Sequence, residues 1–293
     1  MAKTLLVVNP QASAVSEELA ERVEAELGGD VETTWTERPG HAAELVEGAD
    51  ADAVVIFGGD GAFNEALNGL RPGLPIGLVP GGGSSVLPRA LGLPRDPREA
   101  AGQIGEALRR GRTRRISLGR VNGRRFGFAA ALGFPAEVVR RVDDLGRERH
   151  GRRPPDRIFL TTLARVLRER RGRLAGELEV EGHGRAAFAL VANGDPYTYL
   201  WRIPVRAAPR AAFDLGLDLV APRAFGPARI PALAAAILTG RTATARGVLY
   251  LHDQQRIEIL ADRPLPLQVD GEDLGDVERA SFVSEPGAAD ILV

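Results

Sequence analysis

The sequence predicts an α/β fold with a parallel sheet, followed by a β-rich second part. Two observations point there. Short apolar runs and helical patterns alternate strictly through the first third of the chain. After about residue 174 the pattern turns to strands. A length of 293 residues suits one large domain or two ordinary ones.

The elements follow in order. "TLLVVN" (4–9) is a short apolar run rich in β-formers. Val15, Leu19, Val23 and Leu27 are spaced by four and predict a helix. "VETTWT" (31–36) reads as a strand, "GHAAELVEG" (40–48) as a short helix, and "AVVIF" (53–57) as a fully buried strand. "PIGLVP" (75–80) is another strand, and a helix is expected near 97–109. Alternation of this kind implies a parallel sheet covered on both faces. From about residue 114 the texture changes. "RRISLGRVNGRRFGFAAALGF" reads as a hairpin turning at Asn122–Gly123. Two helical stretches follow, separated by "GRRPPD" (151–156), then a series of strands with one helix near 227–238. The expected domains are 1–120 and 121–284, with the apolar end 285–293 returning to the first.

Composition narrows the function. A hydrophobic fraction of 44% argues for a packed protein. The net charge of −1 leaves no global field to draw nucleic acid or membrane. No cysteine is present, which excludes disulfides and cysteine-zinc sites and fits a reducing cytoplasm. The four histidines are scattered without metal-ligand spacing. Lys3 is the only lysine, so a phosphate site must use arginine, metal or backbone N–H groups. "MAKTLLVVNP" is too short an apolar run for a signal peptide, and no segment nears the ~18–20 apolar residues of a membrane span. A cytoplasmic protein is expected.

The stretch "FGGDGAFNEALNGL" (57–70) carries the chemistry. It follows a predicted strand, and ligands of parallel sheets bind at the carboxyl ends of strands. The glycines permit a sharp turn and close approach, and their N–H groups with the start of the next helix make an anion site. Phe63, Ala66, Leu67 and Leu70 form the buried face of that helix. Asn64, Glu65 and Asn68 are expected to point elsewhere, and Asn68–Gly69 to end the helix. Asp60 is repulsive beside phosphate unless it holds a metal or takes a proton, which suggests nucleotide, magnesium and phosphoryl transfer. The bland alternative is a glycine turn with Asp60 capping the helix. A second loop, "VPGGGSS" (79–85), also follows a strand and opens a helix. No G-x-x-x-x-G-K-[ST] is present, so this is not a P-loop protein.

"VVNPQAS", "GGDGAFNEALNGL", "GLVPGGGSSVLPRALGLPRD", "GFAAALGFPAEVV", "FDLGLDLV" and "LQVDGEDLG" occur in this order. Together they resemble the diacylglycerol kinase catalytic-domain family, which includes sphingosine kinases and bacterial soluble lipid kinases. The resemblance implies an N-terminal three-layer α/β domain that binds ATP and a C-terminal β-sandwich. It places the phosphates along Gly58, Gly59, Gly61 and Gly82, Gly83, Ser84, Ser85, with Asn9 and Thr36 at strand ends nearby and Asn64 and Glu65 beside the loop. Asp60 and Glu65 would line the site, and Asp60 would also serve magnesium. Glu272, in Asp270–Gly271–Glu272, would be the general base for a lipid hydroxyl, with Asp270 near it. Read alone, "VDGE" is equally a β-turn with Asp–Gly at its tip. Asp214 and Asp218 resemble a shortened form of a loop that binds structural magnesium in some members.

Two departures from the family pattern stand out. The family loop reads Gly-Thr-x-Asn-Asp-Phe-Ala-Arg, whereas this chain has Ser85–Val86 at the Asn–Asp pair. Ala62 stands where threonine is common. The leading expectation is an ATP- and magnesium-dependent lipid kinase converting diacylglycerol to phosphatidic acid. The alternatives are a sphingoid base, another lipid alcohol or NAD as acceptor, with NAD disfavoured by "NEALNGL", and a nucleotide- or lipid-binding regulator without turnover. Residues 140–173 hold twelve arginines against five acidic residues. Within them, 157–172 reads as a basic amphipathic helix suited to an anionic leaflet or to packing on its own domain. The expected partner is thus lipid at a membrane surface, with peripheral contact at the inner face. A nucleic-acid partner is not expected, because the segment lacks interleaved aromatics. A homodimer is kept open.

Overall fold

The computed structural model describes residues 3–148, 156–200, 203–224 and 226–293. The chain divides into two compact units, Met1–Leu118 with Pro286–Val293, and Gly119–Glu285.

The first unit alternates β1 (Lys3–Val8), α1 (Glu17–Leu27), β2 (Asp30–Trp35), α2 (His41–Glu47), β3 (Ala53–Gly58), α3 (Asp60–Gly69), β4 (Ile76–Pro80), α4 (Val86–Ala90) and α5 (Pro97–Arg110). The strands lie side by side as β4-β3-β1-β2, all parallel. Ile291, near the end of the chain, pairs in parallel with Ile76. Every residue of β3 and β4 is buried, which a strand achieves only when both faces of its sheet are covered. The cover is helical, with α1 packed on α5 and α2 on α3. Helix ends follow local chemistry. Ser16 caps α1 by accepting from the Leu19 N–H. Asp96 caps α5 by accepting from the Arg98 and Glu99 N–H groups, with Pro97 in the first turn and left-handed Gly111 at its end.

Two details depart from the sequence reading. The core stripe of α1 is Ala20, Val23 and Leu27, a 3.6-residue period rather than a strict four. Gly69 closes α3 in ordinary helical backbone. A Cβ there would lie 2.1 Å from the Ala43 carbonyl oxygen, so this glycine lets α3 approach α2 rather than forming a left-handed stop.

β5 (Thr113–Val121) runs from the first unit into the second, which continues with β6 (Arg124–Phe126) and β7 (Ala129–Leu132), then α6 (Phe134–Glu148) and α7 (Asp156–Glu169). Apart from Asp156, the "GRRPPD" stretch lies outside the described residues. Next come β8 (Leu178–Val180), β9 (Gly184–Ala186), β10 (Ala189–Ala192), β11 (Thr198–Leu200), β12 (Ile203–Val205), β13 (Leu217–Pro222), α8 (Ile230–Leu238), β14 (Val248–Gln254), β15 (Arg256–Val269) and β16 (Glu272–Leu292). Pairing in this unit is antiparallel, in the order β14-β13-β10-β7-β15-β16. Register shifts within β15–β16 separate the stretch of β15 that pairs with β8 from the stretch that pairs with β7.

Strand alternation feeds two cores. Ala189 and Val191 of β10, with Leu217 and Leu219 of β13, join Phe126, Ile257 and Phe282 on one face, where Phe126 and Phe282 meet edge-on. Leu190, Ala192 and Val220 face the other way, onto Phe134, Val138, Val166 and Phe188. Helix α7 therefore spends Val166, Leu163 and Leu167 on its own domain. Of Ile158, Leu160, Leu163, Val166 and Leu167, the apolar side of the amphipathic pattern, Leu160 is the exposed one.

Two hairpins carry their turns as read. Asn122 and Gly123 both have positive φ, as do Asp270 and Gly271. Register brackets each pair, Val121 with Arg124 and Val269 with Glu272. These are the two-residue turns that suit the right-handed twist of the flanking strands.

Candidate functional site

In the first unit the strand ends converge on two glycine loops. Asn9 follows β1, Thr36 follows β2, Gly58 ends β3 and Gly81 follows β4. Because the strands are parallel, these positions share the carboxyl edge of the sheet. The Asn9 N–H donates to the Phe57 carbonyl and the Thr36 N–H to the Val8 carbonyl, while Asn9 Oδ1 accepts from the Gln11 N–H. The Gly81 N–H donates to the Gly58 carbonyl at 2.6 Å.

The loops touch where no side chain fits. A Cβ on Gly82 would stand 3.0 Å from Gly59 Cα, and one on Gly58 would meet Ala62 at 2.8 Å and Asn9 at 3.2 Å. Asp60, buried at the start of α3, reaches the second loop. Its Oδ1 accepts from the Val86 N–H at 2.7 Å. Ser85 has φ +41°, in the left-handed region, and its hydroxyl donates to the Gly82 carbonyl. Gly61 lies in the first turn of α3, and Gly83 and Ser84 lie on the loop before Ser85. The Val86 side chain is buried, so the position where the family carries an acid is spent on the core.

The polar residues of α3 behave differently from expectation. Asn64 is fully buried, and Asn68 donates to its carbonyl and side-chain oxygens. Glu65 Oε2 accepts from the Ala42 N–H in the first turn of α2, where a helix presents unpaired donors and positive partial charge.

In the second unit Asp270 is buried. Its Oδ2 accepts from the Gly127 N–H at 2.6 Å, and its Oδ1 from the N–H groups of Phe128 and Ala129 at 3.0 Å each. Asn193, which the sequence reading passed over, holds the same segment. Its Nδ2 donates to the Gly127 carbonyl and its N–H to the Phe128 carbonyl. A lone buried asparagine 66 positions after the glycine it holds carries no local signal.

Next to this anchor, Glu272 begins β16, half exposed, with Arg124 at 3.5 Å. Gln268 braces the turn by accepting from the Gly271 N–H, and donates to the Tyr197 hydroxyl. Desolvation, with the negative charge of Asp270 adding to it, holds the Tyr197 phenol above its usual range.

Asp214 is exposed, and Asp218 is fully buried with other partners. The Tyr250 hydroxyl donates to Asp218 Oδ2 at 2.6 Å. His252 Nδ1 and the Asp253 N–H sit on Oδ1 at 2.7 and 3.0 Å. Burial and the bond to Asp218 push the Tyr250 phenol upward. Among the described residues no group of three or more His, Cys, Asp or Glu gathers to hold a metal ion.

Residues 3–121 match the model of the diacylglycerol kinase catalytic domain. A putative lipid kinase of Streptococcus pneumoniae is 30% identical over 153 residues, 49% of this chain and 51% of the relative. A diacylglycerol kinase of Bacillus subtilis is 37% identical over 89 residues, 29% of this chain and 28% of the relative. The chain thus spans about half the length of the first of these and less of the second. In fold it is similar to a putative diacylglycerol kinase from Bacillus anthracis, with a TM-score of 0.75, 21% identity, and coverage of 99% of this chain and 96% of that one. An N-terminal α/β unit and a C-terminal β-rich unit are thus the fold of this chain, and residues 3–121 are similar to a diacylglycerol kinase catalytic domain.

Proposed function

We propose that this protein is an ATP- and magnesium-dependent lipid kinase that transfers the γ-phosphate to a lipid hydroxyl, with diacylglycerol as acceptor and phosphatidic acid as product. The observation that carries this reading is the Asp60–Val86 bond, which ties two glycine loops at the carboxyl edge of a parallel sheet. Glycine loops with free approach to backbone N–H groups cradle phosphates, and the near absence of lysine suits a site built on backbone. Magnesium is held through one or two carboxylates plus the phosphates themselves, and the single buried Asp60 fits that donor set. When bound, the ion neutralises charge on the phosphates.

We assign the general base to Glu272, as the family resemblance does. A carboxylate within hydrogen-bond reach of an alcohol raises its nucleophilicity. The bonds of Asp270 to three backbone N–H groups favour positioning of the turn rather than proton transfer.

Membrane contact belongs to the same proposal. No helix among the described residues is long and apolar enough to cross a membrane, but α7 presents Arg157, Leu160, Arg165 and Arg168 on its exposed side. Arg170 is engaged with Glu137 and contributes less. Charge reversal at Arg157, Arg165 and Arg168 should weaken binding to phosphatidylglycerol vesicles; equal binding removes the contact.

The acceptor is tested by offering labelled ATP with magnesium and, in separate mixed micelles, diacylglycerol, a sphingoid base and a simple lipid alcohol, beside NAD. Label in phosphatidic acid supports the proposal, and label elsewhere reassigns the acceptor. A second reading, a nucleotide binder without turnover, is favoured by one observation, the buried Val86 side chain at the family's acidic position. Nucleotide binding with no labelled product from any acceptor would select it.

A further inference from the structure

Many arginines of the second unit are paired with carboxylates. Arg120 and Arg125 meet Glu285, Arg140 meets Asp273 and Asp276, and Arg170 meets Glu137. Arg185 meets Asp262 and Arg256 meets Glu258. Four of those without a carboxylate partner lie together. Arg223, Arg229, Arg241 and Arg246 are exposed, and among the described residues none forms an ion pair with a carboxylate. All four line one cavity of about 770 Å³.

The rest of that cavity is largely apolar, with Thr239 and Thr244 as its other polar side chains. The α8 wall is Ala232, Leu233, Ala235 and Ala236, Val248 faces it, and no acidic residue lines it. Helix α8 has the sequence IPALAAAIL without a charge, yet Ala236 is its one buried residue, and Leu238 is 54% exposed. Leu233 and Ile237 pack against the core of the unit, which leaves the other alanines and Leu238 of this apolar helix uncovered. Four arginines lining one cavity without a carboxylate give it net positive charge, and guanidinium pairs with phosphate in bidentate fashion.

The geometry points to a binding site in this cavity for a phosphate-bearing amphiphile. The phosphate lies among Arg223, Arg229, Arg241 and Arg246, and the apolar part lies on the alanine face of α8. The cavity volume falls within the range of small-molecule sites, roughly 300–1,000 Å³, which admits a headgroup with the first part of a chain. The site lies wholly within the second unit and uses none of the residues assigned to phosphoryl transfer. It stands or falls apart from the kinase reading.

The test is calorimetric titration without ATP or magnesium, using dihexanoyl phosphatidic acid below its micellar concentration. Inorganic phosphate and dihexanoyl phosphatidylethanol serve as the chain-free and single-charge arms. Wild type should bind phosphatidic acid. Arg229→Gln with Arg246→Gln should weaken binding by about tenfold or more. Ala235→Trp, at an exposed position, should weaken it too by filling the apolar wall, and should leave inorganic phosphate binding unchanged. Phosphatidylethanol should bind more weakly than phosphatidic acid at the same arginines. Equal affinity for inorganic phosphate and phosphatidic acid overturns the assignment to an amphiphile. Binding of phosphatidic acid that neither variant alters, or no binding by wild type, overturns the site.

Discussion

The Val86 N–H donates to Asp60 Oδ1 at 2.7 Å, inside the protein and across 26 positions of sequence. One carboxylate therefore does two things. It stands in the first glycine loop, where phosphoryl chemistry needs a charge, and it holds the second loop in place.

Substitutions at Asp60 should separate these roles. Asp60→Ala strands a buried amide and should cost about 1.5–3 kcal/mol of stability along with all turnover. Asp60→Asn keeps an acceptor oxygen and should recover much of the stability while turnover stays lost. Denaturant midpoints beside a labelled-phosphate assay read both effects. Turnover retained in Asp60→Asn would show that the charge is not needed.

Ser85 sits in left-handed backbone at φ +41°, which disfavours most side chains by roughly 1–2 kcal/mol but suits asparagine. The family carries asparagine here. Ser85→Asn should hold or raise the denaturation midpoint, and Ser85→Val should lower stability by roughly 1–2 kcal/mol through strain. The reverse order would mean that the Ser85 bond to the Gly82 carbonyl outweighs the backbone.

Asp270 and Glu272 lie two positions apart and should behave as opposites. Asp270→Asn replaces one acceptor facing three backbone N–H groups with a donor, and should cost roughly 2–4 kcal/mol. Glu272→Gln should leave the melting temperature near wild type and abolish turnover while nucleotide still binds. Unchanged turnover in Glu272→Gln would remove it as base.

Tyr197 and Tyr250 are held protonated beyond their usual range, the first chiefly by desolvation, the second by desolvation and Asp218. Their folded pKa values are raised, so their contribution is complete below the unfolded value near ~10 and is lost as pH rises above it. Stability should fall with pH in the alkaline range, and a Tyr197→Phe, Tyr250→Phe double variant should flatten that fall. An unaltered alkaline slope would place the titration elsewhere.

Legibility differed with the range of the interaction. Strand and helix positions in the first unit follow from apolar periodicity, and the Asn122–Gly123 and Asp270–Gly271 turns from residues that accept positive φ. Both signals are local. Asn64 escaped because a polar residue in a helical pattern reads as outward, whereas contact with neighbouring elements buries it. The partner of Asp60 is a backbone N–H, which has no letter in the sequence. Asp218 read as a loop carboxylate because Tyr250 and His252, which surround it, lie more than 30 positions away. Gly69 announced a helix end, and its physical reason, the Ala43 carbonyl, lies on another helix.

The most direct measurement is transfer of label from ATP with magnesium to diacylglycerol in mixed micelles, comparing wild type with Asp60→Ala. The account predicts labelled phosphatidic acid from wild type and none from the variant. Equal label from both, or ATP binding by wild type with no label in any lipid alcohol, would contradict it.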